Sequence, residues 1–159
     1  MSTLTADESM LDISMMSAEY GDRDFTDAMV DLANKNIPME IITRLEGLWR
    51  KTKTIAGETI NIGKILVSKI IEFILKHPNM AIGIALGAAI GALTGLIPFI
   101  GPLIQPIAIG IGIAFGGLTG ASMDIESDSI MESAIHLAKE FFNLLADLFN
   151  GIADYWTAS

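Results

Sequence analysis

The chain has 159 residues, 51% of them apolar and only 18% charged, with a formal net charge of −9 and no cysteine. That is one domain's length and too little charge for average globular usage, and it excludes disulfides and thiolate metal sites. The charge is zoned: Met1 to Glu40 holds nine acids against Arg23 and Lys35, Ile41 to His77 seven bases against three acids, Pro78 to Met123 no charge at all, and Asp124 to Ser159 seven acids against Lys139.

Residues 1–25 are expected to form a flexible acidic N-terminus, because Ser, Thr, Asp and Glu outnumber aliphatics and Gly21 interrupts the run. They show neither the basic start nor the apolar stretch of a cleavable secretory signal. Residues 26–77 read as short helices followed by a basic amphipathic one. Thr26 is a candidate cap for a helix that Asn36 and Pro38 stop. A second helix starts at Met39, with Ile41, Ile42, Leu45, Leu48 and Trp49 at helical spacing, and runs to Lys53. "TIAGET", around Gly57, is a break. From Ile60 to His77, Ile62, Ile65, Leu66, Ile70, Phe73 and Ile74 share one face, with Lys64, Lys69 and Lys76 outside it.

Residues 78–123 read as a hydrophobic helical hairpin. Pro98, Gly101, Pro102 and Pro106 place a tight apolar turn at 97–105, leaving arms at 78–96 and 106–123. Each arm of about 18 residues is about 27 Å long, close to the ~30 Å of a bilayer core. Gly83, Gly87, Gly91 and Gly95 recur every four residues in the first arm, and Gly112, Gly116 and Gly120 in the second. Residues four apart share a helix face, so each arm carries a smooth strip on which another backbone can approach closely.

Residues 124–159 read as an acidic amphipathic helix. Ser129 and Glu132 have capping-box spacing, Ala134, Leu137, Ala138, Phe141, Leu144, Leu145, Leu148 and Ile152 mark the apolar face, and Glu132, His136, Glu140, Asp147 and Asp154 fall on the other. The fold class is all-α: a glycine-rich hydrophobic hairpin flanked by amphipathic helices. Two readings of it stay open, a membrane hairpin and the core of a helical bundle.

Lys64, Lys69, Lys76, Trp49 and Trp156 are candidate lipid-headgroup contacts, since bases and amphipathic aromatics collect at membrane interfaces. An enzyme is not expected: the two histidines lie far apart in sequence, and neither a phosphate loop, a nucleophile elbow nor a metal-ligand pair is present. No catalytic residue, metal or cofactor is assigned, and the basic zone is too small in so acidic a chain for nucleic-acid binding. "AIGIGIAFGG" is similar to the first helix of rotary ATP synthase ring subunits, but the carboxylate that carries their ion is missing, so ion carriage of that kind is rejected.

The uncharged hairpin and the acidic helix from Ser129 to Trp156 together resemble, in architecture, the hydrophobic helical hairpin of pore-forming colicins and of small membrane-disrupting bacterial secretion effectors. The resemblance covers less than half of the chain and rests on no diagnostic motif. It implies a toxin or effector, secreted and then inserted into a target membrane, that permeabilises the bilayer as a homo-oligomer. Glu132, Glu140 and Asp147 would line the lumen, and a chaperone or immunity protein is a candidate partner. The alternatives are a membrane-anchored scaffold that recruits partners without a pore, and a secretion-system or virion component protected by a partner.

Overall fold

The computed structural model describes residues 5–32, 35–115 and 125–158, with the backbone alone at 125–128 and 157–158. The described chain is almost wholly helical, as expected: α1 Ala6–Gly21, α2 Phe25–Val30, α3 Met39–Trp49, α4 Ile62–Lys76, α5 Ile82–Leu96, α6 Gly101–Ala114, α7 Ile125–Gly151 and α8 Ala153–Ala158. Two short strands, β1 Lys53–Ile55 and β2 Glu58–Ile60, lie between α3 and α4.

The first departure from expectation is α1, which stands where a flexible tail was read. Its start is a capping box: Thr5 Oγ1 accepts from the Glu8 N–H at 3.1 Å, and the Glu8 carboxylate accepts from the Thr5 N–H at 3.3 Å. The face it buries is Ser9, Met10, Ile13, Ser17 and Tyr20. Helix α2 begins at Phe25 after Asp24, one residue before the expected Thr26 cap.

Helix α3 starts at Met39 as read but stops at Trp49, because the following residues pair as a hairpin. Lys53 faces Ile60, Thr54 faces Thr59, and Ile55 faces Glu58. The two residues between the strands, Ala56 and Gly57, both have positive φ, at 51° and 85°. That is the left-handed geometry a two-residue hairpin needs to match strand twist. Ile55 and Ile60 carry the hairpin into the core.

Helix α4 buries every apolar residue assigned to its face, Ile62, Ile65, Leu66, Ile70, Phe73 and Ile74. It begins against the end of α3, where the Gly63 N–H donates to the Lys51 carbonyl at 3.0 Å. A Cβ on Gly63 would collide with the Leu48 carbonyl, so only glycine lets the two helices meet there.

The hydrophobic hairpin is tighter and shorter than the reading of 78–96, 97–105 and 106–123. Helix α5 has 15 residues and α6 has 14, joined by Ile97 and one 3₁₀ turn over Pro98–Ile100. Pro98 and Pro102 stand in opening helical turns, where a missing N–H costs nothing, so these prolines start helices where a loop was expected. Pro106 lies inside α6. The two axes are bent by 120° at the break. Gly116 and Gly120, with the end of the expected second arm, lie outside the described residues.

Helix α7 starts at Ile125, so Ser129 and Glu132 are internal to it and do not form its cap. Ala134, Ala138, Leu145, Leu148 and Ile152 are buried as read, but Leu137 and Leu144 are 40% and 68% exposed while Phe142, Ala146 and Phe149 are buried. The helix is held by α5 on one side and by α1 and α4 on the other, which turns its buried arc toward the two phenylalanines. Phe73, Phe142 and Phe149 are the largest fully buried side chains, each contributing on the order of 1.5–3 kcal/mol relative to exposure. Helix α5 is central: α4, α6 and α7 all rest on it, and α6 rests in turn on α3.

Candidate functional site

The site read from sequence is the hairpin with its glycines, bases and aromatics. On α5 the glycine strip is already occupied. A Cβ built on Gly83 meets the Phe115 ring at 3.1 Å, one on Gly87 meets Met131 Cε at 3.2 Å, one on Gly91 meets Ile135 Cδ1 at 3.7 Å, and one on Gly95 meets Lys139 Cε at 3.9 Å. Met131, Ile135 and Lys139 are themselves four apart, so one edge of α7 runs along the strip in the same direction as α5. The close helix approach that the glycines make possible is thus an intramolecular contact with the acidic helix. At the far end of that contact, Asn150 Nδ2 donates to the Leu96 carbonyl at 3.0 Å, satisfying a terminal carbonyl of α5.

Helix α6 has two unlike faces. Ile104, Ile107 and Gly110 point inward. Gly110 is a position that sequence reading missed: its missing side chain makes room for Arg44 of α3, whose Cδ lies 2.5 Å from where a Cβ would stand. Arg44 Nη1 donates to the Pro106 carbonyl at 3.3 Å and Nη2 contacts Glu40 Oε1 at 3.4 Å, fastening α6 to α3. The signal that could have found it was Arg44 beside the buried Ile41, Leu45 and Leu48 of α3. The other face presents Pro102, Gln105, Pro106, Ile109, Gly112 and Ile113 to the exterior, with Ile109 49% and Ile113 58% exposed. A Cβ on Gly112 meets nothing within 4 Å. This face has one polar side chain and no charge. Gly101, at the start of α6, also meets open space.

The proposed headgroup contacts are mostly engaged within the fold. Trp49 is buried, edge-on to Phe25 at 5.9 Å, with Lys64 Nζ 5.7 Å from its ring centroid. Trp156 is buried against Phe99 at 5.2 Å, beneath Lys53 Nζ at 4.9 Å. Lys64 Nζ donates to the Gly21 carbonyl at 2.6 Å, at the end of α1, where a cation complements the helix dipole. Lys69 pairs with Glu72 at 3.4 Å. In this conformation these four side chains serve the fold, and lipid contact through them requires rearrangement. Lys76 alone of the five is an exposed cation with no ion pair among the described residues.

Glu132 and Glu140 lie on the outer face of α7, with Asp147 half-buried beside them, and His136 pairs with Glu140 at 3.1 Å. Among the described residues they enclose no lumen. Tyr20 closes a polar link between α1 and α4: its hydroxyl donates to Glu72 Oε2 at 2.9 Å. Burial first, then the Glu72 carboxylate, pushes its ionisation well above the ordinary tyrosine range. Among the described residues no group of three or more His, Asp or Glu is placed to hold a metal ion.

Among the described residues no single helix is long and apolar enough to cross a membrane; Ile82–Leu96 and Pro98–Ala114 meet that test only as a bent pair. At ~1.5 Å per residue each arm is about 22 Å, short of the ~27 Å expected from the sequence. Comparison with known proteins returns nothing similar: no protein family, no curated protein and no solved structure matches this chain.

Proposed function

We propose that this chain is a membrane-inserting helical-hairpin protein that permeabilises a bilayer, and that its folded form is the state in which the hairpin is carried. The observation that supports this is the uncharged α5–α6 pair at the centre of the bundle. Its inner surfaces are sheathed by amphipathic α3, α4 and α7, and its outer face on α6, uncharged and mainly apolar, is uncovered among the described residues. An uncharged helix face of that kind gains free energy by leaving water for hydrocarbon, roughly in proportion to its area. Arms of about 22 Å do not cross a ~30 Å hydrocarbon core. Insertion on this reading therefore starts with α6 in the interface and requires the pair to leave α7, freeing the glycine strip for a second hairpin.

The experiment is dye release from sealed liposomes, with and without anionic lipid, on adding full-length chain at micromolar concentration. A second arm locks α5 to α7: the chain has no cysteine, so Gly91→Cys with Ile135→Cys gives one oxidisable pair. Release by the reduced variant and none by the oxidised one supports the reading. Release that is equal in both sinks the requirement for α7 to leave, and sealed liposomes throughout sink permeabilisation itself. A second reading is favoured by the filled glycine strip: a bundle that stays closed, whose α6 face is covered by a protein partner. It predicts sealed liposomes and protein that does not sediment with them.

A further inference from the structure

Among the described residues the buried polar side chains are Ser9, Ser17 and Ser68, and all three belong to the seat of α1. Ser9 and Ser17 stand on α1 itself. Ser68 stands on α4, four residues from Lys64 and four from Glu72. Lys64 Nζ donates to the Gly21 carbonyl at 2.6 Å, and Glu72 accepts from the Tyr20 hydroxyl at 2.9 Å, so helix period puts Ser68 on the α4 face that carries α1. Other bonds fasten the same edge of α1. Ser14 Oγ donates to Glu58 Oε2 at 3.1 Å, Ser17 Oγ accepts from the Asn61 N–H at 2.9 Å, and the Ser17 carbonyl accepts from Asn61 Nδ2 at 3.2 Å. Toward α7 no hydrogen bond leaves α1 among the described residues. There Ser9 lies against Gly151, where a Cβ would collide with Ser9 Oγ. Ser9 Oγ and Ser68 Oγ are both buried without a hydrogen-bond partner. The outer face of α1 is open, with Leu11 and Met15 each 62% exposed.

We infer that α1 is a releasable strap: it parts from α4 and α7 as one helix, ahead of the rest of the fold, and its release frees α7 to leave α5. Two hydroxyls that have given up water and gained no partner make this seam weaker than its buried area suggests. Release returns both to water. The five bonds between α1 and its seat are exchanged for bonds to water at the same moment, so their net hold is modest. Segments with few buried apolar contacts open at lower free energy than the core around them, and Ile13 is the one large aliphatic side chain that α1 buries. Helix α1 also rests on both α4 and α7, so while it is seated α7 is held on the flank away from α5. The last step, freeing α7, rests on the permeabilisation reading; the release of α1 is a property of the folded chain and is measured without a membrane.

The test is amide hydrogen exchange of the full chain, read by peptide mass spectrometry, with dye release from liposomes as a second arm. Amides of α1 from Met10 to Tyr20 should exchange at least about tenfold faster than those of α5 from Ala85 to Leu93. Ser68→Ala should slow exchange in α1 about fivefold although it lies on another helix, because release then returns one hydroxyl fewer to water. Ser17→Ala, which leaves the Asn61 N–H without its acceptor, should speed it about fivefold. Ser133→Ala, at an exposed position of α7, should leave it unchanged. Melting curves establish that each variant is folded. Equal protection of α1 and α5 overturns the strap, and so does exchange in α1 that ignores Ser68→Ala. Dye release should slow in Ser68→Ala by the same factor as exchange in α1; unchanged release beside slowed exchange overturns the freeing of α7. Liposomes that stay sealed with every variant overturn permeabilisation and the freeing step with it, while exchange decides the strap separately.

Discussion

Replacing Gly91 and Gly95 together by alanine tests whether α7 sits on the glycine strip as described. A Cβ at Gly91 lies 3.7 Å from Ile135 Cδ1 and one at Gly95 lies 3.9 Å from Lys139 Cε, ordinary contact distances that need no movement. Each substitution removes the entropic penalty of a helical glycine, about 1 kcal/mol. The pair should stabilise the fold by about 2 kcal/mol and raise Tm by about 4–8 °C for a chain of this length. The propensity gain also applies to α5 in a membrane, so it cancels from any opening step. What remains is the added contact with Ile135 and Lys139, no more than about 0.8 kcal/mol for a buried methyl. Dye release should therefore slow by up to about fourfold while Tm rises. Thermal melts followed by circular dichroism give the first quantity and liposome assays the second. A Tm at or below that of the unsubstituted chain would refute the spacing between α5 and α7, and faster release with a raised Tm would refute the need for α7 to leave.

Gly63→Ala should act in the opposite sense, costing about 3 kcal/mol in urea denaturation, because its Cβ strikes the backbone carbonyl of Leu48; an unchanged midpoint would mean that α3 and α4 do not meet there. Tyr20→Phe should lower stability at neutral pH by about 1 kcal/mol through loss of the bond to Glu72. The raised ionisation of Tyr20 means that the folded chain holds this proton more tightly than the unfolded one. Its contribution is complete below about pH 10 and is lost as pH rises beyond that; stability curves of the two proteins should converge above that pH, and parallel curves would refute the link. Arg44→Ala removes the donor to the Pro106 carbonyl and the side chain over Gly110. It should loosen α6 by about 1 kcal/mol and speed dye release about fivefold; unchanged release would remove α6 from the opening step.

Leucine and isoleucine spacing made α4 legible, whereas on α7 it assigned Leu137 and Leu144 to a buried face although both are exposed. All six residues assigned to the α4 face, Ile62, Ile65, Leu66, Ile70, Phe73 and Ile74, are buried because they are large and apolar, but Val67 and Ile71 are buried as well and were not assigned, since α4 is covered on more than one side. Helix α1 buries Ser9, Met10, Ile13, Ser17 and Tyr20, a face with one large aliphatic residue that spacing does not reveal, and its Thr5–Glu8 capping box went unread. The strands were missed because each has three residues, too few for alternation to stand out, although Gly57 correctly marked the turn. The prolines were read as a loop because proline in mid-helix is costly, yet Pro98 and Pro102 fall in first turns, where it is not. The glycine strip was read as a face for packing against other hairpins, and on α5 it lies instead against α7 of the same chain. Its occupant was invisible, since nothing in local spacing says that Met131, Ile135 and Lys139 will lie on it.

Those three contacts share a separation of 44 residues: 87 with 131, 91 with 135, 95 with 139. During synthesis the smooth face of α5 is therefore complete well before the helix that covers it has been made. At ~5–20 residues per second, that interval lasts about 2–9 s. An uncharged, uncovered hairpin is most able in those seconds to meet a membrane, a chaperone or another copy of itself. The order of the helices along the chain thus makes time, as well as free energy, a determinant of where the hairpin ends up.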